Sequence, residues 1–255
     1  MPDIHIGTSG WHYKHWCGPF YAKGCPASKM LAHYVQCFDT VEINNSFYRL
    51  PNESTFENWR ESTPDNFLFA VKASRFLTHN KKLKDPENAL QNFLPRAERL
   101  QHKLGPILFQ LPPSWRANPE RLGEFLTVLP KIHPYVFEFR EPSWNTPAVY
   151  DILRRHNAAF CIYELAGFHA PIEITADFTY IRLHGPGARY QGSYSKAVLR
   201  SWAQRIADWK DLRSVYVYFD NDQAGYAAQN AIELKRMVSG APGAPGHAKS
   251  PQAAA

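Results

Sequence analysis

The amino-acid sequence predicts an α/β fold, a (β/α)8 TIM barrel, on the strength of three observations. Eight short apolar or β-branched runs of strand length recur through the chain, and segments with helical periodicity separate most of them. Strands that alternate with helices pair in parallel through right-handed crossovers. Eight such units in a chain of 255 residues fit a closed barrel, for which about 250 residues is typical.

The elements follow from the spacing of apolar residues. The predicted strands cover residues 4–8, 40–43, 67–71, 107–111, 135–139, 159–163, 178–183 and 214–219. The predicted helices cover residues 28–37, 86–104, 119–129, 146–156, 194–210 and 225–237. Only about 14 residues separate the sixth strand from the seventh, and they include glycine, proline and a strand-like run. The helix that would follow the sixth strand is therefore expected to be missing or reduced to a single turn.

The chain is predicted to form one barrel domain over residues 1–238. Residues 239–255 are rich in Pro, Gly and Ala and are predicted to form a disordered tail, because they offer nothing to bury. The sequence has no apolar run of about 18 residues and no N-terminal secretory pattern, which excludes a membrane-spanning segment and a secretory signal. Four cysteines without a CxxC pair indicate reduced thiols and a cytoplasmic protein.

Positive charge is concentrated in one stretch of the chain. Residues 72–103 contain eight Lys or Arg and three Asp or Glu, a local excess of +5 within a total of +6. Such a stretch attracts phosphates or nucleic acid, or it forms an ordinary solvated surface. The rest of the chain is nearly neutral, which argues against a dedicated DNA-binding protein.

Polar side chains alternate with apolar ones near the ends of the predicted strands. In the second strand Val41 and Ile43 share one face, whereas Glu42 and Asn44 share the other. The apolar face must meet the surrounding helices, so the polar face points into the barrel, at the end where barrel enzymes hold their active sites. The resulting candidate site comprises Glu42, Asn44, Lys72, Gln110, Glu138, Arg140, Tyr163, Arg182, His184 and Asp220, with Asn221 and Asp222 just beyond.

Two interpretations of this set compete. Three carboxylates and three cations can satisfy one another in a structural salt-bridge network, because an unpaired buried charge costs several kcal/mol. The alternative is a functional pocket, which we favour because a structural network seldom recruits six different strands.

The pocket interpretation predicts an enzyme, of the hydrolase or isomerase type, for a small polar or anionic substrate. Glu138 and His184 are the predicted acid–base pair, with Glu42 as the second carboxylate. The predicted substrate-binding groups divide by chemistry, since cations hold negative charge and amides position hydroxyls or carbonyls. They are Lys72, Arg140 and Arg182 as cations, Asn44, Gln110 and Asn221 as amides, and Asp220 and Asp222 as carboxylates.

A loop after the seventh strand is a predicted lid. Residues 185–195 contain three glycines, together with Arg189, Tyr190 and Tyr194. Loops after the seventh and eighth barrel strands often hold a substrate's phosphate. We therefore expect Arg189 and Tyr190 to fold over an anion held by Arg182 and His184.

Other functions also fit the sequence. No cofactor or metal site is predicted, although a divalent cation has suitable ligands, which are Glu42, Glu138, Asp220, Asp222 and His184. Three neighbouring basic residues argue against that cation. A zinc site at His12, His15 and Cys17 has too few ligands. A metal-dependent phosphoesterase or nuclease, a nucleic-acid-binding protein and a non-catalytic ligand sensor are the alternatives, and the oligomeric state is not predicted.

Several dispersed motifs, in order, resemble the YecE-like family, a domain of unknown function (number 72). They are IGTSGW at 6–11, GPFY at 18–21, TVEIN at 40–44, SFYR at 46–49, FxxK at 69–72, QLPP at 110–113, EFR at 138–140, RLHG at 182–185 and YVYFDND at 216–222. The resemblance covers about residues 4–238. It implies a TIM barrel and assigns no activity.

Overall fold

The computed structural model describes residues 1–240, so residues 241–255 of the predicted tail lie outside the described part of the chain. Eight parallel strands form a nearly closed barrel, and this confirms the predicted fold class. They are β1 (Asp3–Thr8), β2 (Thr40–Ile43), β3 (Leu68–Lys72), β4 (Leu104–Gln110), β5 (Tyr135–Glu138), β6 (Ala159–Leu165), β8 (Phe178–Leu183) and β9 (Ser214–Phe219). Neighbouring strands follow the order β1-β9-β8-β6-β5-β4-β3-β2.

Eight α-helices accompany the strands within residues 1–240. They are α1 (Ala27–Tyr34), α2 (Asn45–Tyr48), α3 (Glu53–Glu61), α4 (Glu87–Ala97), α5 (Pro119–Val128), α6 (Pro147–Arg155), α7 (Lys196–Asp208) and α8 (Tyr226–Val238). No helix in this part of the chain is both long and apolar enough to cross a bilayer.

The sequence prediction missed α2 and α3 and made the fourth helix too long. Helix α3 begins after Asn52, whose side chain accepts a hydrogen bond from the backbone N–H of Thr55. Only Phe56 of α3 is fully buried, so its apolar periodicity is weak. Helix α4 gives way to 3-10 turns over Glu98–Lys103, where Gln101 adopts a positive φ of 54°.

No helix follows β6, in agreement with the prediction, from the short interval to the next barrel strand, that this helix is missing or reduced to a single turn. A two-residue strand, β7 (Phe168–His169), instead pairs antiparallel with the end of β6. The chain then runs without helix along the outside of the barrel. The Thr175 hydroxyl attaches it there, accepting from Phe160 N and donating to Ala158 O, both at 2.7 Å. One side-chain hydroxyl thus fixes a segment where the other units have a helix.

The barrel closes between β1 and β2 by an unusually close approach. A single bridge joins Ser9 to Glu42, and the Tyr34 hydroxyl of α1 spans the seam, accepting from Thr8 N at 3.0 Å and donating to Thr40 O at 3.1 Å. A Cβ placed on Gly7 would lie 2.3 Å from the Thr40 carbonyl oxygen. Glycine is therefore required where these two backbones meet.

Candidate active site

Arg182 of β8 lies at the centre of the polar cluster inside the barrel. Its side chain is 1% exposed, and three carboxylates converge on it. Glu42 is contacted by Nε at 3.0 Å and by Nη2 at 2.7 Å, Glu138 by Nη1 at 2.7 Å, and Asp220 by Nη2 at 3.3 Å. Nη1 also lies 3.3 Å from Nε2 of His184. A guanidinium has five N–H groups, so these contacts use its full donor capacity.

Glu42 of β2 is equally saturated. Its Oε1 accepts from the Ser9 hydroxyl at 2.7 Å and from Arg182, while Oε2 accepts from the Tyr180 hydroxyl at 2.6 Å and from Arg182. The side chain has no exposed surface. Its oxygens are therefore occupied by protein donors and form part of the floor beneath the mouth of the barrel.

Glu138, the last residue of β5, is held between two guanidinium groups. It accepts a hydrogen bond from Arg140 Nε on Oε1 and one from Arg182 on Oε2, and it is fully buried. Burial alone would raise the pKa of this carboxyl, but Arg140 and Arg182 lower it well below its usual range. Glu138 is therefore a permanent carboxylate at neutral pH in this arrangement.

His184 follows β8 and is completely buried. Its Nε2 lies 3.0 Å from Arg140 Nη2 and 3.3 Å from Arg182 Nη1, and guanidinium groups only donate. Nε2 must therefore carry a lone pair, which places the single proton on Nδ1. Nδ1 lies 3.0 Å from Asp220 Oδ2, without the alignment of a full hydrogen bond. Burial, followed by the charge of Arg182, lowers the pKa of His184, so the ring is neutral.

Lys72, the last residue of β3, differs from the two arginines. It is 7% exposed, and its Nζ lies 4.3 Å from the centre of the Phe47 ring. No described carboxylate forms an ion pair with it, although three lie elsewhere in the cluster. Burial and the charge of Arg182 lower the pKa of the ammonium from 10.5 to about 8. Lys72 is therefore a buried amine close to its titration midpoint at mildly alkaline pH.

This pKa predicts a rise in stability with pH that depends on Lys72. The amine loses its proton near pH 8 when folded but near 10.5 when unfolded, so the unfolded chain binds more protons between those values. From pH 7 to pH 10 the free energy of unfolding of the wild type should therefore rise by about 2 kcal/mol relative to Lys72→Met. Urea unfolding at both pH values measures it. Parallel pH profiles for the two proteins would contradict the lowered pKa.

The three amide side chains of the predicted site lie in different places, and one of them points away from the site. Asn44 is half-buried, and its Oδ1 lies 3.4 Å from Arg182 Nη2 at the edge of the network. Gln110 is half-buried at the end of β4, opposite Glu138 in the strand register. Asn221 is turned away, since its Nδ2 donates to Gly192 O at 2.8 Å and to Asn230 Oδ1 at 2.9 Å. Asn221 therefore holds the loop after β8 in place.

Asp222 lies outside the central network. Its backbone oxygen accepts from the Trp16 indole at 3.0 Å, and its carboxylate lies 3.5 Å from His15 Nε2. Burial and the neighbouring Asp220 raise its pKa. Asp222 thus attaches the segment around Trp16 to the end of β9.

Of the two loop residues predicted to fold over an anion, Tyr190 lies beside the site and Arg189 points into solvent. The Tyr190 ring lies 5.5 Å from the His184 ring, and its N–H donates to His184 O at 2.7 Å. Arg189 is exposed and has no hydrogen bond or ion pair to the described site residues. Gly185 has a φ of +116°, and a Cβ there would lie 2.3 Å from Gln191 O. The loop is therefore folded back tightly on itself beside His184.

The carboxylates considered as metal ligands surround a guanidinium group. Glu42, Glu138 and Asp220 all meet at the guanidinium of Arg182, which fills the position between them. His12, His15 and Cys17 do not converge on one point. Within residues 1–240, no group of three His, Cys, Asp or Glu side chains is arranged to hold a metal ion.

Sequence reasoning missed an aromatic pocket beside the mouth. A cavity of about 510 Å³ lies between the segment after β1 and the end of β2. Trp11, Tyr13, Trp59 and Asn44 are among its lining residues. The Trp11 and Trp59 rings meet edge to face at 5.3 Å. The family motif containing Trp11 was the signal that could have revealed this pocket.

The basic stretch is only partly available to a partner. Lys72 is in the site, and Lys103 is buried, with its Nζ donating to Arg60 O at 2.7 Å and Thr63 O at 2.8 Å. Arg99 pairs with Glu53. The remaining exposed cations include Arg75, Lys81 and Lys84. Most of the predicted local charge is therefore either paired or spread over a surface loop.

Solved structures similar to this chain share its fold. A DUF72 family protein from Thermotoga maritima superimposes with a TM-score of 0.85 at 28% identity, covering 93% of this chain and 99% of that one. A DUF72 family protein from Enterococcus faecalis gives 0.77 at 18% identity, covering 92% and 95%. A D-psicose 3-epimerase from Clostridium cellulolyticum gives 0.56 at 12% identity, covering 93% and 96%, which is a likeness of fold alone.

Sequence comparison gives the family. The UPF0759 protein YunF of Bacillus subtilis is 25% identical over 269 residues, covering 92% of this chain and 94% of that protein. The UPF0759 protein YecE of Escherichia coli K12 is 31% identical over 143 residues, covering 55% of this chain and 50% of that protein. The family model described as "Protein of unknown function DUF72" matches residues 5–255. The chain therefore belongs to the DUF72 family, as its motifs predicted.

Proposed function

We propose that the protein is an enzyme that binds a small polar, anionic substrate at the carboxyl-end mouth of the barrel and moves a proton on it. Hydrolysis and isomerisation are the reaction types that fit this chemistry. The observation that carries the proposal is the unequal use of three cations. Every N–H group of Arg182 is directed at an acceptor within the protein. Lys72, in contrast, forms no ion pair with a described residue, and Arg140 has N–H groups without a described acceptor.

Arg140 is the proposed anion-binding group. Its Nε is fixed by Glu138, and its guanidinium lies over the Tyr163 ring at 4.5 Å, so the plane of the fork is held in place. Its Nη1 has no hydrogen-bond partner among the described residues. A planar fork with free N–H groups suits carboxylate and phosphate oxygens. At neutral pH, below its pKa of about 8, Lys72 would supply the second positive charge. Gln110 ends β4, the strand between β3, which ends at Lys72, and β5, which ends two residues before Arg140.

His184 is the proposed proton-transfer group. Its Nε2 lone pair is covered by the N–H groups of Arg140 and Arg182. A bound anion that accepts the N–H groups of both Arg140 and Arg182 in place of Nε2 would uncover that lone pair, and Asp220 beside Nδ1 would stabilise the imidazolium formed. Glu138 stays ionised, so its proposed role is to balance the two arginines. Glu42 would hold Arg182 in place.

The surroundings supply the rest of a binding site. The pocket of about 510 Å³ lined by Trp11, Tyr13 and Trp59 would take the uncharged part of a substrate, since aromatic faces pack against apolar groups and rings. The loop of residues 185–195 is the proposed cover. Tyr190 already lies against His184, and Arg189 would have to turn inward to reach a bound anion.

Binding of single-stranded nucleic acid is a second candidate with an observation of its own. Tyr48 and Phe76 are 81% and 52% exposed, and the exposed Arg75 immediately precedes Phe76. Exposed aromatic rings beside cations are typical of surfaces on which bases stack. It ranks second because Lys72 and Lys103 of the basic stretch are buried. A non-catalytic sensor would use the same anion site as the enzyme, without turnover.

The anion site predicts a stabilising ligand whose effect depends on Arg140. In a thermal-shift screen of small carboxylates and phosphates, an anion at a hundred times its dissociation constant should add about 2.7 kcal/mol to the free energy of unfolding. Arg140→Met should weaken that anion at least about tenfold, because a charge-assisted pair is lost. The control is Arg213→Met, at the opposite end of the barrel, where Arg213 pairs with Asp177 at 3.2 Å. Equal stabilisation of both variants would refute the assignment of Arg140.

A further inference from the structure

Two lysines of residues 1–240 are buried, Lys72 and Lys103, and they are held in different ways. Lys103 donates to two backbone carbonyls, Arg60 O and Thr63 O, at 2.7 and 2.8 Å, with the Thr63 hydroxyl at 3.4 Å. That is the usual manner in which a buried ammonium is stabilised, with its three donors occupied. Lys72 has none of these bonds. Its Nζ lies 4.3 Å from the centre of the Phe47 ring.

The fold places Lys72 where an amine can react. It ends β3 at the carboxyl end of the barrel, and its backbone oxygen accepts a hydrogen bond from the Ser46 hydroxyl at 2.6 Å. Its backbone is therefore fixed while the amine stays uncommitted. A charged amine in this position is costly, since burial and Arg182 both oppose its protonation, and its pKa falls to about 8. A lysine that stabilised only the fold would be expected to pair with one of the three carboxylates in the cluster.

We propose that Lys72 is a nucleophilic amine that forms an imine with the carbonyl group of a small anionic substrate, such as a 2-oxo acid or an aldehyde acid. The inference rests on the proposed anion site and adds the chemical class of the substrate. Arg140, two residues beyond the end of β5, the second strand along from β3, would hold the carboxylate or phosphate while the carbonyl carbon faces Nζ.

The step balances without any other reactant. The neutral Nζ forms a bond to the carbonyl carbon, the C=O π electrons move to oxygen, and a proton passes from nitrogen to that oxygen, which gives a carbinolamine. The nitrogen lone pair then forms C=N as the hydroxyl leaves with a proton as water. Lysines with lowered pKa values are the ones that perform this chemistry, because the neutral amine is the nucleophile.

Reductive trapping tests the proposal on the intact chain. The wild type is incubated at pH 8 with glyoxylate, a small aldehyde acid, and cyanoborohydride, which reduces an imine to a stable secondary amine. Peptide mapping then follows the modification of each lysine with time. Near pH 8 about half of the Lys72 amine is neutral, against less than about a hundredth of an exposed lysine. Lys72 should therefore be modified at least about tenfold faster than the exposed Lys84.

Matched variants identify the cause of the fast modification of Lys72. Lys103 is the buried-lysine control and should stay unmodified, because its donors are occupied. Lys72→Arg keeps the charge and should remove the fast-reacting site without unfolding the protein. Arg140→Met should slow the reaction of Lys72 with glyoxylate but not with propionaldehyde, which has no carboxylate. Modification of Lys72 at or below the rate of Lys84 in the folded wild type would overturn the proposal.

The outcomes separate this inference from the proposed function. If an anion stabilises the protein through Arg140 while Lys72 stays unreactive, the anion site stands and the imine is refuted. If Lys72 reacts fast with both aldehydes and equally in Arg140→Met, the amine is reactive but its anionic substrate class is wrong.

Discussion

Arg182→Met is expected to lower the free energy of unfolding by about 3–5 kcal/mol, because it leaves several buried carboxylates without their shared cation. Glu42 has no exposed surface and takes two of its four hydrogen bonds from Arg182, and Glu138 takes its Oε2 bond from the same group. Methionine fills a similar volume, so the loss reports the charges and not a cavity. Urea unfolding at neutral pH measures it.

A second substitution checks this explanation. Adding Glu42→Gln to Arg182→Met removes one uncompensated charge, so the double variant should be less destabilised than the sum of the two single variants. Additive losses would show that the two side chains act independently. An Arg182→Met protein as stable as the wild type would mean that the network is not held together by its central guanidinium.

Gly7→Ala is expected to destabilise the barrel by about 3 kcal/mol, near the upper end of what overpacking costs. The new Cβ would lie 2.3 Å from the backbone oxygen of Thr40 and 3.1 Å from the Tyr34 hydroxyl. Neither strand can withdraw without breaking the hydrogen bonds of Tyr34 across the seam. Thermal and urea unfolding give the size of the effect.

Gly187→Ala is the matched control, since a Cβ there meets nothing within 4 Å. Its free energy of unfolding should stay within about 0.5 kcal/mol of the wild type, as for most surface substitutions. If Gly7→Ala were tolerated equally well, the close approach of β1 and β2 would be adjustable and not a fixed property of the closure.

The fold was predictable from the sequence because its signals are local. The alternation of Val41 and Ile43 with Glu42, and the same pattern in later strands, depends only on the two-residue period of a strand. The elements that were missed have weak local signals. Helix α3 buries fully only Phe56, and β7 has two residues, both exposed.

The residues of the site were predictable from the sequence, but which of them are already hydrogen-bonded to one another was not. Glu42, Glu138, Arg140, Arg182, His184 and Asp220 do meet, as the inward faces of the strands suggested. Sequence could not show that Arg182 is saturated while Lys72 has no ion pair, because this depends on distances between side chains from different strands. The bonds of Ser9 and Tyr180 to Glu42 likewise depend on such distances.

The depth of the Arg182 network has a consequence for how the protein responds to ionic strength. Dissolved ions screen charges that they can surround, over a Debye length of about 8 Å at physiological concentration, and they screen buried pairs much less. Surface pairs such as Arg99 with Glu53, whose side chains are about half exposed, are open to this screening. Arg182 and its carboxylates are not, because their side chains are between 0% and 11% exposed. The charged centre of the barrel therefore keeps its geometry in dilute and concentrated electrolyte alike, and added salt acts on the cations at its mouth.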